Sequence, residues 1–169
     1  MKWNVKLLAL NGILAAVYAV VTLLTASFAY GPIQFRIAEA LCLLPMLLPQ
    51  TVWGVTLGCI VANLFSPVSA LDIVIGSLAT LLAALWVTRV KRVWFVPLPM
   101  TICNAVLVGG MLAWVYTPDN LIPGFFLMAG EVGLGELAVG YVLGVPLILA
   151  LKRTNLLSRL TDVSAPQTI

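Results

Sequence analysis

Two glutamates stand inside a run that is otherwise apolar. Glu131 and Glu136 interrupt the last long hydrophobic stretch, in Gly130-Glu131-Val132-Gly133-Leu134-Gly135-Glu136. An ionised carboxylate is an acceptor that takes hydrogen bonds from N–H donors singly or in pairs. Counted from Pro123 at about 1.5 Å per residue, Glu131 lies about 12 Å along a helix and Glu136 about 20 Å. An acid near the centre of a bilayer costs about 2.5–3.5 kcal/mol on insertion scales. Such a group normally faces a partner or a cavity and marks a functional path. Five residues apart, the two acids point about 140° from each other, so they do not form one dyad. One is open to a ligand while the other bonds a neighbouring helix; the bland alternative makes both protonated structural groups.

A second polar group lies near the first long helix. Tyr30-Gly31-Pro32-Ile33-Gln34-Phe35-Arg36 leads into Glu39. Arg36 and Glu39 are three apart and can pair on one helical turn; alternatively the loop closes over a ligand and presents Gln34, Arg36 or Glu39. Asn63, Asp72 and Asn104 are single polar groups in apolar surroundings. Each either bonds across helices, at under about 2 kcal/mol, or contacts a ligand. Enzyme chemistry is poorly supplied. The sequence has no histidine, the commonest general base and metal ligand. Cys42, Cys59 and Cys103 are scattered without metal or disulfide spacing and read as small apolar packers. No phosphate-loop pattern occurs. A non-enzyme that needs no metal or cofactor is expected.

Helices must position these groups. Of 169 residues, 62% are hydrophobic and 9% charged, with a mean hydropathy of +1.12. That is too little polar surface to coat a globule in water, so lipid is the expected solvent. At about 20 residues per crossing there is room for six or seven spans in a single domain, 1–169. The apolar runs predict helices near 7–29, 36–49, 51–66, 69–88, 95–116 and 123–151, an all-α bundle of six transmembrane helices. The second and third are short for an upright crossing. Pro45, Pro49 and Pro67 punctuate them, with a tight turn at Pro49-Gln50, and Pro146 is expected to kink the last helix.

Six crossings put both termini on one side. Lys2, Lys6, Arg89, Lys91, Arg92, Lys152, Arg153 and Arg159 fall on that side and only Arg36 opposite, which makes it cytoplasmic. Trp3, Trp86 and Trp94 mark the inner boundary; Tyr30, Trp114 and Tyr116 mark the outer one. The basic clusters are short and flank apolar spans, so nucleic acid is not an expected partner. The stretch before Ser27-Phe28-Ala29 has the flavour of a secretion signal. However, Leu7 to Ala29 exceeds the core of about 7–15 residues that such signals have, and it is read as a retained helix of a multi-pass plasma-membrane protein. In that helix Gly12, Ala15, Ala16 and Ala19 recur at helical spacing, and Ala15 and Ala19 form an Ala-x-x-x-Ala pair. Small residues let helices approach closely in lipid. Gly54/Gly58 and Gly140/Gly144 share the spacing, so it does not by itself separate internal packing from docking.

Together these segments resemble the QueT family. The resemblance is carried by Gly31-Pro32-Ile33-Gln34-Phe35-Arg36-Ile37-Ala38-Glu39-Ala40-Leu41 with Leu44-Pro45, and by Gly58-Cys59-Ile60-Val61-Ala62-Asn63. It continues in Leu71-Asp72-Ile73-Val74-Ile75-Gly76-Ser77-Leu78-Ala79-Thr80 and in Gly135-Glu136-Leu137-Ala138-Val139-Gly140. The Gln-Phe-Arg-x-x-Glu element is the most specific piece. The resemblance implies a substrate-binding S-component of an energy-coupling factor (ECF) transporter for queuosine precursors: queuine or a 7-deazaguanine such as preQ0 or preQ1. It further implies capture from outside, and docking on a transmembrane coupling protein driven by two cytoplasmic ATPases, with Ala15 and Ala19 on the docking face. A guanine-like edge suits a carboxylate acceptor, offered by Glu131, Asp72 or Glu39. A flat ring suits an aromatic partner, offered by Tyr30, Phe35 or Trp114. The alternatives are an S-component for riboflavin, thiamine or biotin, a membrane enzyme, and a structural membrane subunit.

Overall fold

The computed structural model describes residues 5–30 and 35–154. Lys2, Trp3, Gln34 and Arg159 lie outside the described residues, which are helical with no strand among them. Helix α1 (Val5–Leu24) breaks at Thr25 and resumes as the single turn α2 (Ala26–Ala29). The Thr22 and Thr25 hydroxyls donate to the carbonyls of Tyr18 and Val21, four residues back, at 2.9 and 2.8 Å. Such back-bonding competes with the helical ladder and bends helices.

The second stretch is a 3₁₀ helix, Ile37–Met46, where an ordinary helix near 36–49 was expected. Pro45 has no N–H to give and clashes with the preceding turn of an α-helix. The tighter winding also gains reach: at about 2.0 Å per residue, ten residues span about 20 Å instead of about 15 Å. One further 3₁₀ turn, Pro49–Thr51, leads into α3 (Val52–Asn63), and α4 (Leu71–Val87) follows. Helices α5 (Pro97–Cys103) and α6 (Gly109–Tyr116) are joined by a π segment, Asn104–Val108. A second π segment, Gly140–Gly144, joins α7 (Leu121–Val139) to α8 (Val145–Arg153). Pro146 leaves the carbonyl of Val142 without its usual partner, and the π segment covers that residue. The expected kink is therefore taken up as a local change of winding.

Close contacts set the directions of these stretches. Gly54 lies against Asn11, and Gly58 against Ala15 and Tyr18, so α1 and α3 run parallel. Asn63 meets Asp72 and Cys59 meets Thr80, so α3 and α4 run antiparallel. Gly109 meets Ala129, Asn104 meets Glu136 and Pro97 meets Gly140, so the last two stretches also oppose each other. The exposed cations Lys6, Arg89, Lys91, Arg92, Lys152 and Arg153 thereby gather at one end of the bundle.

Three helical stretches are long and apolar enough to cross a membrane: Val5–Leu24, Val93–Tyr116 and Pro118–Arg153. The exterior suits lipid on several sides. Leu8, Ile13, Val74, Phe126, Leu134 and Val142 are each 63–70% exposed, whereas the interior holds buried acids, amides and a guanidinium. Apolar outside and polar inside inverts the order of a protein in water. The interior has an apolar core around Leu43, Val55, Val87, Met100 and Ile148, and a smaller one around Ala79, Val108, Leu112 and Val132.

Ala15 and Ala19 sit inside the chain, each 6% exposed. A methyl group on Gly58 would come within 2.7 Å of Tyr18 Cβ and 2.8 Å of the Ala15 carbonyl oxygen. Ala15 thus lies at the α1–α3 contact, and Ala9, Gly12 and Ala16 are the small residues that α1 leaves exposed.

Candidate functional site

A helix with three residues per turn stacks positions i and i+3 along one edge. In the 3₁₀ stretch that edge is Arg36, Glu39, Cys42 and Pro45, all buried. Arg36 is the N-cap, with extended backbone at φ −88° and ψ 97°. Its side chain leaves the helix and does not make the expected local pair with Glu39. The Arg36 Nη2 donates instead to Asp72 Oδ2 at 3.1 Å, with only 3% and 0% of the two side chains exposed. The Nε donates to the Ala29 carbonyl at 3.3 Å, and the guanidinium lies 5.3 Å from the centre of the Tyr30 ring. Glu39 is occupied elsewhere: the Tyr18 hydroxyl donates to its Oε1 at 2.6 Å.

Asp72 opens α4, and α3 supports it. Asn63 Nδ2 donates to the Asp72 carbonyl at 3.0 Å and to Cys59 Sγ at 3.3 Å, while Thr80 donates to the same sulfur at 3.2 Å. Gly76 makes room for this arrangement, since a Cβ there would lie 2.7 Å from Asp72 Oδ1 and 2.8 Å from Asn63 Nδ2. The Tyr30 hydroxyl donates to the Ala62 carbonyl at 2.6 Å, an oxygen that also accepts the Phe65 N–H at 3.1 Å.

Glu136 approaches from α7, 3% exposed. Asn104, the first residue of a π segment, donates to its Oε1 at 2.7 Å. Single-turn π insertions inside α-helices are frequently found at functional sites. The 3₁₀ stretch that carries Glu39 packs against α7 and against the π segment that follows it. Arg36, Glu39, Asn63, Asp72, Asn104 and Glu136 therefore form one buried polar set drawn from five stretches of the chain. Glu131, on the same helix as Glu136, is half-buried and takes no part in its hydrogen bonds.

Sequence reasoning missed Tyr18 and Asn11. Both are buried on α1, along a face shared with Ala15 and Thr22. Asn11 Oδ1 accepts from the Gly54 N–H at 2.7 Å, which caps the first turn of α3 from another helix. A hydroxyl and an amide at helical spacing in an apolar helix were the available signal. Trp114 lines a separate apolar crevice of about 310 Å³ with Gly110, Ala113, Leu121, Ile122 and Phe125, and that crevice includes none of the acids. Among the described residues no group of three His, Cys, Asp or Glu side chains is placed to hold a metal ion. What the polar set offers is acceptors and one guanidinium, suited to a ligand that forms hydrogen bonds.

Comparison with known proteins adds to this geometry. The QueT transporter family matches the chain over residues 8–153. The queuosine precursor transporter QueT of Lactococcus lactis subsp. cremoris (strain MG1363) is 34% identical over 89 residues, covering 49% of this chain and 52% of that protein. The match thus spans about half the length of that curated relative. No solved structure matches the chain.

Proposed function

Given that the chain belongs to the QueT transporter family, we propose that it is the substrate-capturing S-component of an ECF importer for queuosine precursors. The observation that carries this proposal is the buried polar set. Arg36, Glu39, Asp72 and Glu136 are all buried inside a bundle whose surface is apolar, on stretches that pack against one another. Intramembrane ionisable groups are expensive to insert and mark ligand or ion pathways. The ligand would be queuine or a 7-deazaguanine such as preQ0 or preQ1. Its ring edge presents N–H donors, and the set presents acceptors. Tyr30, whose ring centre lies 5.3 Å from the Arg36 guanidinium, would supply a stacking surface.

In this proposal the six helical stretches cross the plasma membrane in alternation. Both termini and the cationic end lie in the cytoplasm, by the positive-inside rule. The polar set then lies toward the outer half, on the side from which the ligand would be captured. The partner is a coupling module, a transmembrane protein with two cytoplasmic ATPases. Because Ala15 and Ala19 are buried, docking along α1 would use its exposed small residues, Ala9, Gly12 and Ala16.

The test is thermal stabilisation of the purified chain by a panel of nucleobases and vitamins, supported by uptake of labelled queuine in cells that carry the coupling module. Stabilisation by queuosine precursors is expected. Stabilisation by riboflavin, thiamine or biotin alone would overturn the assignment.

A further inference from the structure

Each buried carboxylate is held by one oxygen and leaves the other unpaired. Asp72 uses Oδ2 for Arg36, Glu39 uses Oε1 for Tyr18 and Glu136 uses Oε1 for Asn104. Asp72 Oδ1, Glu39 Oε2 and Glu136 Oε2 have no hydrogen-bond partner among the described residues, and none of the three residues is more than 3% exposed. Asn63 repeats the pattern without a carboxylate. Its Nδ2 is spent on Asp72 and Cys59, while its Oδ1 is unpaired at 1% exposure. Within the polar set these four unpaired atoms are acceptors when the acids are ionised.

Charge is one-sided as well. Arg36 pairs directly with Asp72, whereas the side-chain donors to Glu39 and Glu136, the Tyr18 phenol and the Asn104 amide, are neutral. A buried acceptor left without a donor bears its full desolvation penalty. Buried charges are normally paired. Tyr18 and Asn104 fix the rotation of their acids, so the free oxygens are oriented before any ligand arrives.

We infer that the ligand carries a positive charge, an ammonium nitrogen placed against the free oxygens of Glu39 and Glu136, in addition to the N–H donors of its ring. This rests on the proposed role in capturing queuosine precursors, and it divides them by chemistry. The aminomethyl group of preQ1 and the secondary amine of queuine are ammonium ions near neutral pH. The nitrile of preQ0 is uncharged and only accepts hydrogen bonds.

Calorimetric titration of the purified native chain at pH 7 with preQ1 and with preQ0 tests this. The preQ1 complex is expected to be about ten- to hundredfold tighter, the factor that one charge-assisted hydrogen bond supplies. Glu136→Gln or Glu39→Gln should shrink that ratio while changing preQ0 affinity less. Equal affinities, tighter binding of preQ0, or a ratio unchanged in both variants would overturn the inference and leave the proposed function standing. If queuine, preQ1 and preQ0 all fail to bind the native chain, the proposed function falls with it. The native ratio needs no variant, so misfolding of either substitution leaves the test intact.

Discussion

Two seams meet at the acids, and they are built differently. Where α1, α3 and α4 join, the contacts are close and polar. Gly54 and Gly58 bring α3 against the backbone of α1, Asn11 caps α3, and Asn63 and Arg36 both hold Asp72. Where the 3₁₀ stretch meets the last helix, Gly144 faces the methyl tips of Leu43, and a π segment lies at the contact. Among the described residues no side-chain hydrogen bond joins Ile37–Met46 to Gly140–Gly144. The difference teaches that one wall of the site is fixed by backbone and ion pair, while the other is set by flexible side-chain ends.

The comparison breaks most visibly at Asp72. Replacing it by alanine strands a buried guanidinium, and the loss of stability is expected to be about 3–5 kcal/mol. Thermal unfolding in detergent measures it, and a melting temperature equal to that of the native chain would show that the first seam is not rigid. Tyr18→Phe comes next. It removes the donor from a buried carboxylate and should cost about 1.5–3 kcal/mol, read by the same melts.

The seams are then compared directly by adding one methyl group to each. Gly58→Ala drives a Cβ into the α1 backbone and should cost about 1–3 kcal/mol. Gly144→Ala meets only the end of Leu43, and a cost below about 1 kcal/mol is expected. Equal costs would erase the distinction. The smallest effect belongs to Glu131→Gln, which touches neither seam's hydrogen bonds. Its stability should stay within about 0.5 kcal/mol of the native chain, with ligand affinity unchanged in a titration.

Much of the fold was legible because apolar run length and proline placement report helix position directly. All six runs hold a helical stretch, with ends displaced by a few residues. The winding was not legible. Apolar composition does not separate 3₁₀ from α, and the π segment at Asn104, unlike the one before Pro146, has no following proline in its helix to announce it. Partnership was legible only where neighbours in sequence are neighbours in space. The pairing of Arg36 with Glu39 followed from helical spacing, yet an extended N-cap sends the guanidinium to Asp72, 36 positions away. Glu131 and Glu136 look equivalent in sequence, and only the tertiary arrangement buries Glu136 and leaves Glu131 half-buried.

The three-per-turn edge of Arg36, Glu39, Cys42 and Pro45 also constrains insertions and deletions. Adding or removing one residue inside Ile37–Met46 would rotate everything beyond it by about 120°, turning Glu39 or Cys42 toward a different neighbour. A change of three residues would restore the bearing and displace the edge by about 6 Å along its axis. Natural length variation in this stretch should therefore come in triplets, a periodicity that no ordinary helix would impose.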